Sequence, residues 1–261
     1  MDSKYANNRP RGCIPLKINV LGIHFDDLTV AEAVEIGSRF LDSDCFHYAV
    51  TPNPEFILSA EKDGAFRSII NRADLVLADG IGVIHSARLL GTPLKGRVTG
   101  VDFAANMLAE LDRRGGRLFL LGAKPGVAET AGENISRQYP NLTVCGTHDG
   151  YFKQDEPVVQ AIREAKPDLL FVCLGAPKQE KWMAAHGADT GAKLAIGLGG
   201  VLDVYAGTVQ RAPKAFQKLG MEWAYRLYKE PKRFGRMVRL PLVLIKAVKL
   251  RLSGGTKKED A

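Results

Sequence analysis

The chain has 261 residues, of which 46% are hydrophobic, enough to bury the core of one large α/β domain or two modest ones. Its net charge of +7 is uneven: from Arg211 onward there are 14 Lys and Arg against 4 Asp and Glu, leaving 22 against 25 for everything before. This distribution argues against a general nucleic-acid binder, which would spread basic residues over a folded face, and points the tail toward an anionic surface. The four cysteines (Cys13, Cys45, Cys145 and Cys173) form no Cys-x-x-Cys pair, so neither a zinc site nor a disulfide framework is indicated.

Met1 to Pro15 is polar, lacks the basic and apolar blocks of a signal peptide, and reads as a disordered cytosolic start. Lys17 to Ile23 then reads as a first strand. Thr29 to Leu41 places Val30, Ala33, Val34, Gly37 and Phe40 at helical spacing, with Thr29 as the N-cap. Phe46 to Val50 is the next strand, closed by the turn residues Thr51-Pro52-Asn53-Pro54. Helical segments follow over Glu55 to Ala60 and Asp63 to Asn71, then a strand over Ala73 to Leu77.

The alternation persists. Helices are expected over Val83–Leu90, Val101–Arg114, Val127–Tyr139, Glu156–Ala165 and Lys178–His186, and strands over Arg117–Leu121, Leu142–Gly146, Leu169–Leu174 and Ala192–Leu198. Helices between short, wholly apolar strands imply parallel pairing covered on both faces, an open Rossmann-like α/β sandwich. Gly199 to Gly207 reads as a Gly-framed loop and turn. The chain then becomes helical, aromatic and basic, in pieces over Met221–Tyr228, Lys232–Val238 and Leu242–Leu252 separated by Pro231 and Pro241. Leu240 to Ile245, the longest apolar run there, falls far short of the roughly 20 residues that span a bilayer. This part could lie on a membrane, with aromatic and apolar residues in the interface and arginines on phosphates, or pack on the protein's own body. The expected organisation is a terminal segment 1–15, an α/β body 16–215 and a helical appendage 216–261.

Leu75-Val76-Leu77-Ala78-Asp79-Gly80 ends a buried strand in a carboxylate at the edge where open α/β sheets keep their chemistry. An Asp-Gly after a strand is also an ordinary turn that caps the next helix. Thr51, Asn53 and Glu55 reach the same edge. Gly122-Ala123-Lys124-Pro125-Gly126 and Gly175-Ala176-Pro177-Lys178-Gln179 each run from a strand into a helix, a geometry suited to phosphate, although neither satisfies a dinucleotide or Walker fingerprint. Arg97 and Asp102 flank Gly100 and fit either an internal ion pair or an anion site. The histidines show no metal spacing, so no metal site is assigned. Apolar positions between Val101 and Leu111 fit a homo-oligomer contact or the core equally.

Together these segments resemble the WecG/TagA/CpsF glycosyltransferases. The resemblance rests on T-P-N-P-E at Thr51, A-D-G-I-G at Ala78, the Arg97 to Asp102 stretch, L-L-G-A-K-P at Leu120 and D-G-Y-F at Asp149. It continues in L-G-A-P-K-Q-E at Leu174, G-L-G-G-V-L-D-V-Y-A-G at Gly197, R-A-P at Arg211 and E-W-x-Y-R-L at Glu222. It implies an inverting transferase that moves a sugar from a UDP-sugar to a polyprenyl-diphosphate-linked sugar, peripheral on the cytoplasmic face of the membrane and with no cofactor. Teichoic-acid members transfer N-acetylmannosamine; UDP-glucose or UDP-N-acetylmannosaminuronic acid as donor remains open, as does a non-catalytic nucleotide-binding module of a polymer-export assembly. Carried over, Asp79 matches the general base and Thr51 its neighbour. Arg97 and Gln179 match polar residues near the diphosphate, and Asp203 one associated with the nucleotide. Arg226, Arg233 and Arg236 match the appendage that completes the site at an anionic membrane surface.

Overall fold

A primed turn opens the fold. Strands β1 (Lys17–Val20) and β2 (Ile23–Asp26) pair antiparallel, where the sequence predicts one continuous strand. Leu21 and Gly22 both take positive φ (54° and 90°), the geometry that a two-residue hairpin of matching twist requires. Gly22 donates to Asn19 Oδ1 at 2.8 Å, which fixes the turn. In this computed structural model the described residues are 15–213, 215–216, 221–229 and 239–253, and at Arg226, Lys229, Arg239 and Leu240 the backbone alone is described. The expectation for residues 1–15 therefore lies almost entirely outside them, as does the expected helix Lys232–Val238.

Strands β3 (His47–Val50), β4 (Leu75–Val76), β5 (Arg117–Gly122), β6 (Thr143–His148), β7 (Leu169–Cys173) and β8 (Leu194–Gly197) form one parallel sheet in the order β4-β3-β8-β7-β5-β6. This is the open α/β sandwich that the apolar runs imply. Along β7, Leu170 and Val172 join one hydrophobic layer while Leu169, Phe171 and Cys173 join the other. The inner strands β7 and β8 are apolar and buried throughout because both faces are covered, whereas the edge strand β6 (Thr-Val-Cys-Gly-Thr-His) is polar and only partly buried.

One face carries α2 (Pro54–Lys62), α3 (Gly64–Arg72), α4 (Ile81–Leu90), α7 (Glu156–Ala165) and α8 (Lys178–His186). The other carries α1 (Val30–Leu41), α5 (Gly100–Arg114), α6 (Val127–Gln138) and the short α9 (Val201–Tyr205). Thr29 caps α1 in a full capping box with Glu32, as its position predicts. Gly37 lets α1 and α5 meet closely, since a Cβ there would lie 2.7 Å from Met107 Sδ. Helix α9 corrects the reading of Gly199 to Gly207 as loop and turn: Val201 and Leu202 are buried and draw the segment into a helix between its glycines.

Helices α10 (Glu222–Lys229) and α11 (Arg239–Leu252) follow. Pro241 does not divide the last helix but sits in its first turn, where a missing N–H breaks no intrahelical bond. Helix α11 packs on α4 and α2 through Val243 and Ala247, both fully buried. Arg251 Nη1 donates to Leu89 O at 2.8 Å, placing its charge at the negative end of α4. Leu242, Ile245, Val248 and Leu252 stay exposed on the outer side of α11. Among the described residues no helix is long and apolar enough to cross a membrane.

Candidate active site

The carboxyl ends of the parallel strands and the helix starts that follow them make one edge. At its centre Thr51, directly after β3, is buried, and its hydroxyl donates to Gly197 O at the end of β8 (3.1 Å). The ladder between β3 and β4 continues past the strands: Leu77 N donates to Val50 O, and Asp79 N to Pro52 O at 3.1 Å. This extension holds Asp79 beside the Thr51 loop. Asp79 Oδ2 accepts from the backbone N–H of Gly100, the first residue of α5, at 3.4 Å. A Cβ at Gly100 would lie 3.2 Å from Thr51 Oγ1, so a larger residue there would have to push the Thr51 side chain aside by a few tenths of an ångström. A half-exposed carboxylate thus sits at the electropositive end of a helix next to a buried hydroxyl.

The other residues singled out in the sequence divide between rim and support. Asn53 caps α2, its Oδ1 accepting from Glu55 N (2.8 Å) and Phe56 N (3.3 Å). Gln179 is buried below the rim: its Oε1 accepts from Gly199 N (2.9 Å) and Gly175 N (3.2 Å), bracing the loops after β8 and β7. Asp203 lies partly exposed in α9, with Oδ1 3.5 Å from Thr208 Oγ1. Arg97 and Asp102 take different partners: Arg97 Nη1 lies 3.2 Å from Glu222 Oε2, and Asp102 Oδ1 lies 2.7 Å from Arg211 Nη2. The side chain of Arg226, and Arg233 and Arg236 altogether, lie outside the described residues.

Helices α4, α6, α8 and α9 all start at this edge, with Gly80, Gly126, Pro177 and Gly200 at their N-caps and no side-chain cap bond. The first-turn N–H groups of α4, α6 and α8 suit an anionic ligand, whereas those of Val201 and Leu202 in α9 face the buried Cys173 thiol. Lys178 joins α8 to the loop after β6, donating to Gly150 O (2.9 Å) with its ammonium 4.5 Å from the centre of the Phe152 ring. Cys173 offers no nucleophile, because burial pushes its thiol up to about 12. Among the described residues no three His, Cys, Asp or Glu side chains gather as metal ligands.

Glu180 carries no role that the sequence predicts. It is fully buried beside Gln179, whose Nε2 donates to Glu180 Oε1 at 2.6 Å, while Oε2 has no hydrogen-bond partner. Burial pushes its carboxyl up to about 7. A charged residue in the first turn of an otherwise polar helix start gives no local sign that it will be buried.

The fold and this edge define an open, doubly wound α/β protein whose polar chemistry lies at the carboxyl ends of its strands, bordered by anion-suited helix starts. Residues 18–257 match the glycosyl transferase WecG/TagA/CpsF family, and the chain belongs to that family of glycosyltransferases. A relative from Staphylococcus aureus strain MRSA252, named N-acetylglucosaminyldiphosphoundecaprenol N-acetyl-beta-D-mannosaminyltransferase, is 36% identical over 89% of this chain and 92% of its own length. A relative of the same name from strain COL is 35% identical over the same shares.

Proposed function

We propose that the protein transfers N-acetylmannosamine, with inversion, from a UDP-linked donor to the N-acetylglucosamine of a polyprenyl-diphosphate carrier. The observation that carries the reading is the Asp79 carboxylate held by Gly100 N beside Thr51, in a chain matching mannosaminyltransferases across almost its full length. In the reaction the acceptor hydroxyl oxygen attacks the anomeric carbon, its proton passes to Asp79, and the bond to UDP breaks with its electron pair leaving on the diphosphate. A carboxylate within hydrogen-bond reach of the hydroxyl serves as such a base. Thr51 orders the base loop against β8. The growing charge on UDP is met by Arg97 and by the start of α8, with Asp203 on the nucleotide side. Gln179 acts through the loops that it braces, and Asn53 through the cap that rigidifies the Thr51 turn.

The acceptor is lipid-borne, so the enzyme works as a peripheral protein at the cytoplasmic membrane face. The basic, aromatic appendage of residues 216–261, with Arg226, Arg233 and Arg236, meets the anionic surface and completes the site. The exposed stripe Leu242, Ile245, Val248 and Leu252 supports this role, since it supplies the apolar side of an interfacial helix whose opposite side is anchored to the body. The test is a panel of UDP-sugars offered with a prenyl-diphosphate-N-acetylglucosamine analogue, with UDP release and product mass as readouts. Product from UDP-N-acetylmannosamine alone is expected. Product from UDP-glucose or the uronic-acid donor would replace the donor assignment, and no release with any donor would leave a binding module instead.

A further inference from the structure

Helix α10 meets the body through charge. None of its described side chains is fully buried, and Trp223 and Tyr228 are exposed, so burial of apolar surface contributes little to seating it. Its first residue, Glu222, is the exception in kind: the carboxylate is 15% exposed and bridges two guanidinium groups. Oε2 lies 3.2 Å from Arg97 Nη1, and Oε1 lies 3.4 Å from Arg211 Nε. The same Arg211 reaches Asp102 Oδ1 at 2.7 Å, and Asp102 Oδ2 accepts from the Thr99 hydroxyl at 2.7 Å. Thr99 is the N-cap of α5, whose first N–H is the one bound to Asp79. A continuous polar chain therefore runs from the start of the appendage to the carboxylate at the centre of the edge, spanning 125 residues of sequence between Arg97 and Glu222.

We infer that Glu222 is a positioning residue: it latches helix α10 onto the Arg97–Asp102 segment and holds the Arg97 guanidinium in place for the donor's diphosphate. This rests on the reading of Arg97 as a diphosphate ligand given above. A carboxylate that grips one guanidinium nitrogen limits its rotamers and so fixes the plane and direction of the fork. The second oxygen, on Arg211, keeps the carboxylate from swinging away. Seating α10 and orienting the anion-binding guanidinium thus depend on the same carboxylate.

The experiment is a double-mutant cycle on UDP binding by the full-length protein, followed by titration calorimetry, with Glu222→Gln, Arg97→Gln and the pair together. Glu222→Gln is expected to weaken UDP binding about tenfold, the loss of roughly one charge-assisted hydrogen bond. The pair should be hardly weaker than Arg97→Gln alone, because Glu222 acts through Arg97. Glu222→Asp should recover part of the affinity. Independent, additive effects, or no effect of Glu222→Gln, would overturn the inference. Hydrogen exchange of residues 222–229 and 97–102 forms the second arm and requires no nucleotide: faster exchange in both segments of Glu222→Gln is expected, and unchanged exchange overturns the latch. If the wild type binds no UDP, the donor reading fails and takes Arg97's diphosphate role with it, while the exchange arm still decides whether Glu222 seats α10.

Discussion

Replacing Glu180 by Gln should remove a pH dependence of stability that the wild type carries near neutrality. Burial raises the Glu180 carboxyl from 4.5 to about 7. The folded state then holds this proton more tightly than the unfolded chain does. The stabilisation is fully present below about 4.5, declines as the pH climbs toward about 7, and is lost above it. A shift of this size corresponds to about 3 kcal/mol, at about 1.4 kcal/mol per pH unit. Glu180→Gln keeps an oxygen to accept from Gln179 Nε2 and never ionises, so it lacks the decline. Urea unfolding of both proteins at pH 5 and pH 8 isolates the effect, because every other titrating group cancels in the difference. The stability gap should move in favour of the variant by about 2 to 3 kcal/mol between the two pH values. A gap that stays constant within about 0.5 kcal/mol would refute the burial argument.

Gly122 has φ of +132° and its Cβ position lies 2.4 Å from the Cys173 carbonyl oxygen, so Gly122→Ala must part β5 from β7. It should lower stability by at least about 3 kcal/mol, read from the urea midpoint, and a near-neutral result would contradict the close approach. Asn53→Ala should cost about 1 kcal/mol through loss of the α2 cap, whereas Asn53→Asp should keep most of it in the same assay. Ala247→Asp buries an unpaired carboxylate between α11 and α4; exchange of amides 243–252 should rise sharply while the sheet amides stay protected, and uniform protection would show that α11 is not docked this way.

Much of the fold could be read from local pattern, because a parallel sheet covered on both faces writes itself as short apolar strands between helices. The departures have local causes. A primed turn at Leu21 and Gly22 carries no Asn-Gly signal, and Leu rarely adopts positive φ. The five residues of α9 are framed by glycines that read as loop. At the site, Asp79 and Thr51 were legible because strand ends are legible. The bracing by Gln179 was not, since Gly199 lies 20 residues further on and only the β7-β8 pairing brings it near. Glu180 draws its property from burial, and Glu222 draws its from a bridge to Arg97, 125 residues away, which no sequence window contains.

In the proposed reaction Asp79 takes the proton of the acceptor hydroxyl. The most direct measurement compares initial transfer rates of the wild type and Asp79→Asn at saturating donor and acceptor, with thermal unfolding and UDP affinity checked as matched. Asn preserves the shape and the bond from Gly100 N but cannot accept the proton. The rate should fall by about 10²- to 10⁴-fold with UDP binding unchanged. A rate within a few-fold of the wild type would contradict this role for Asp79.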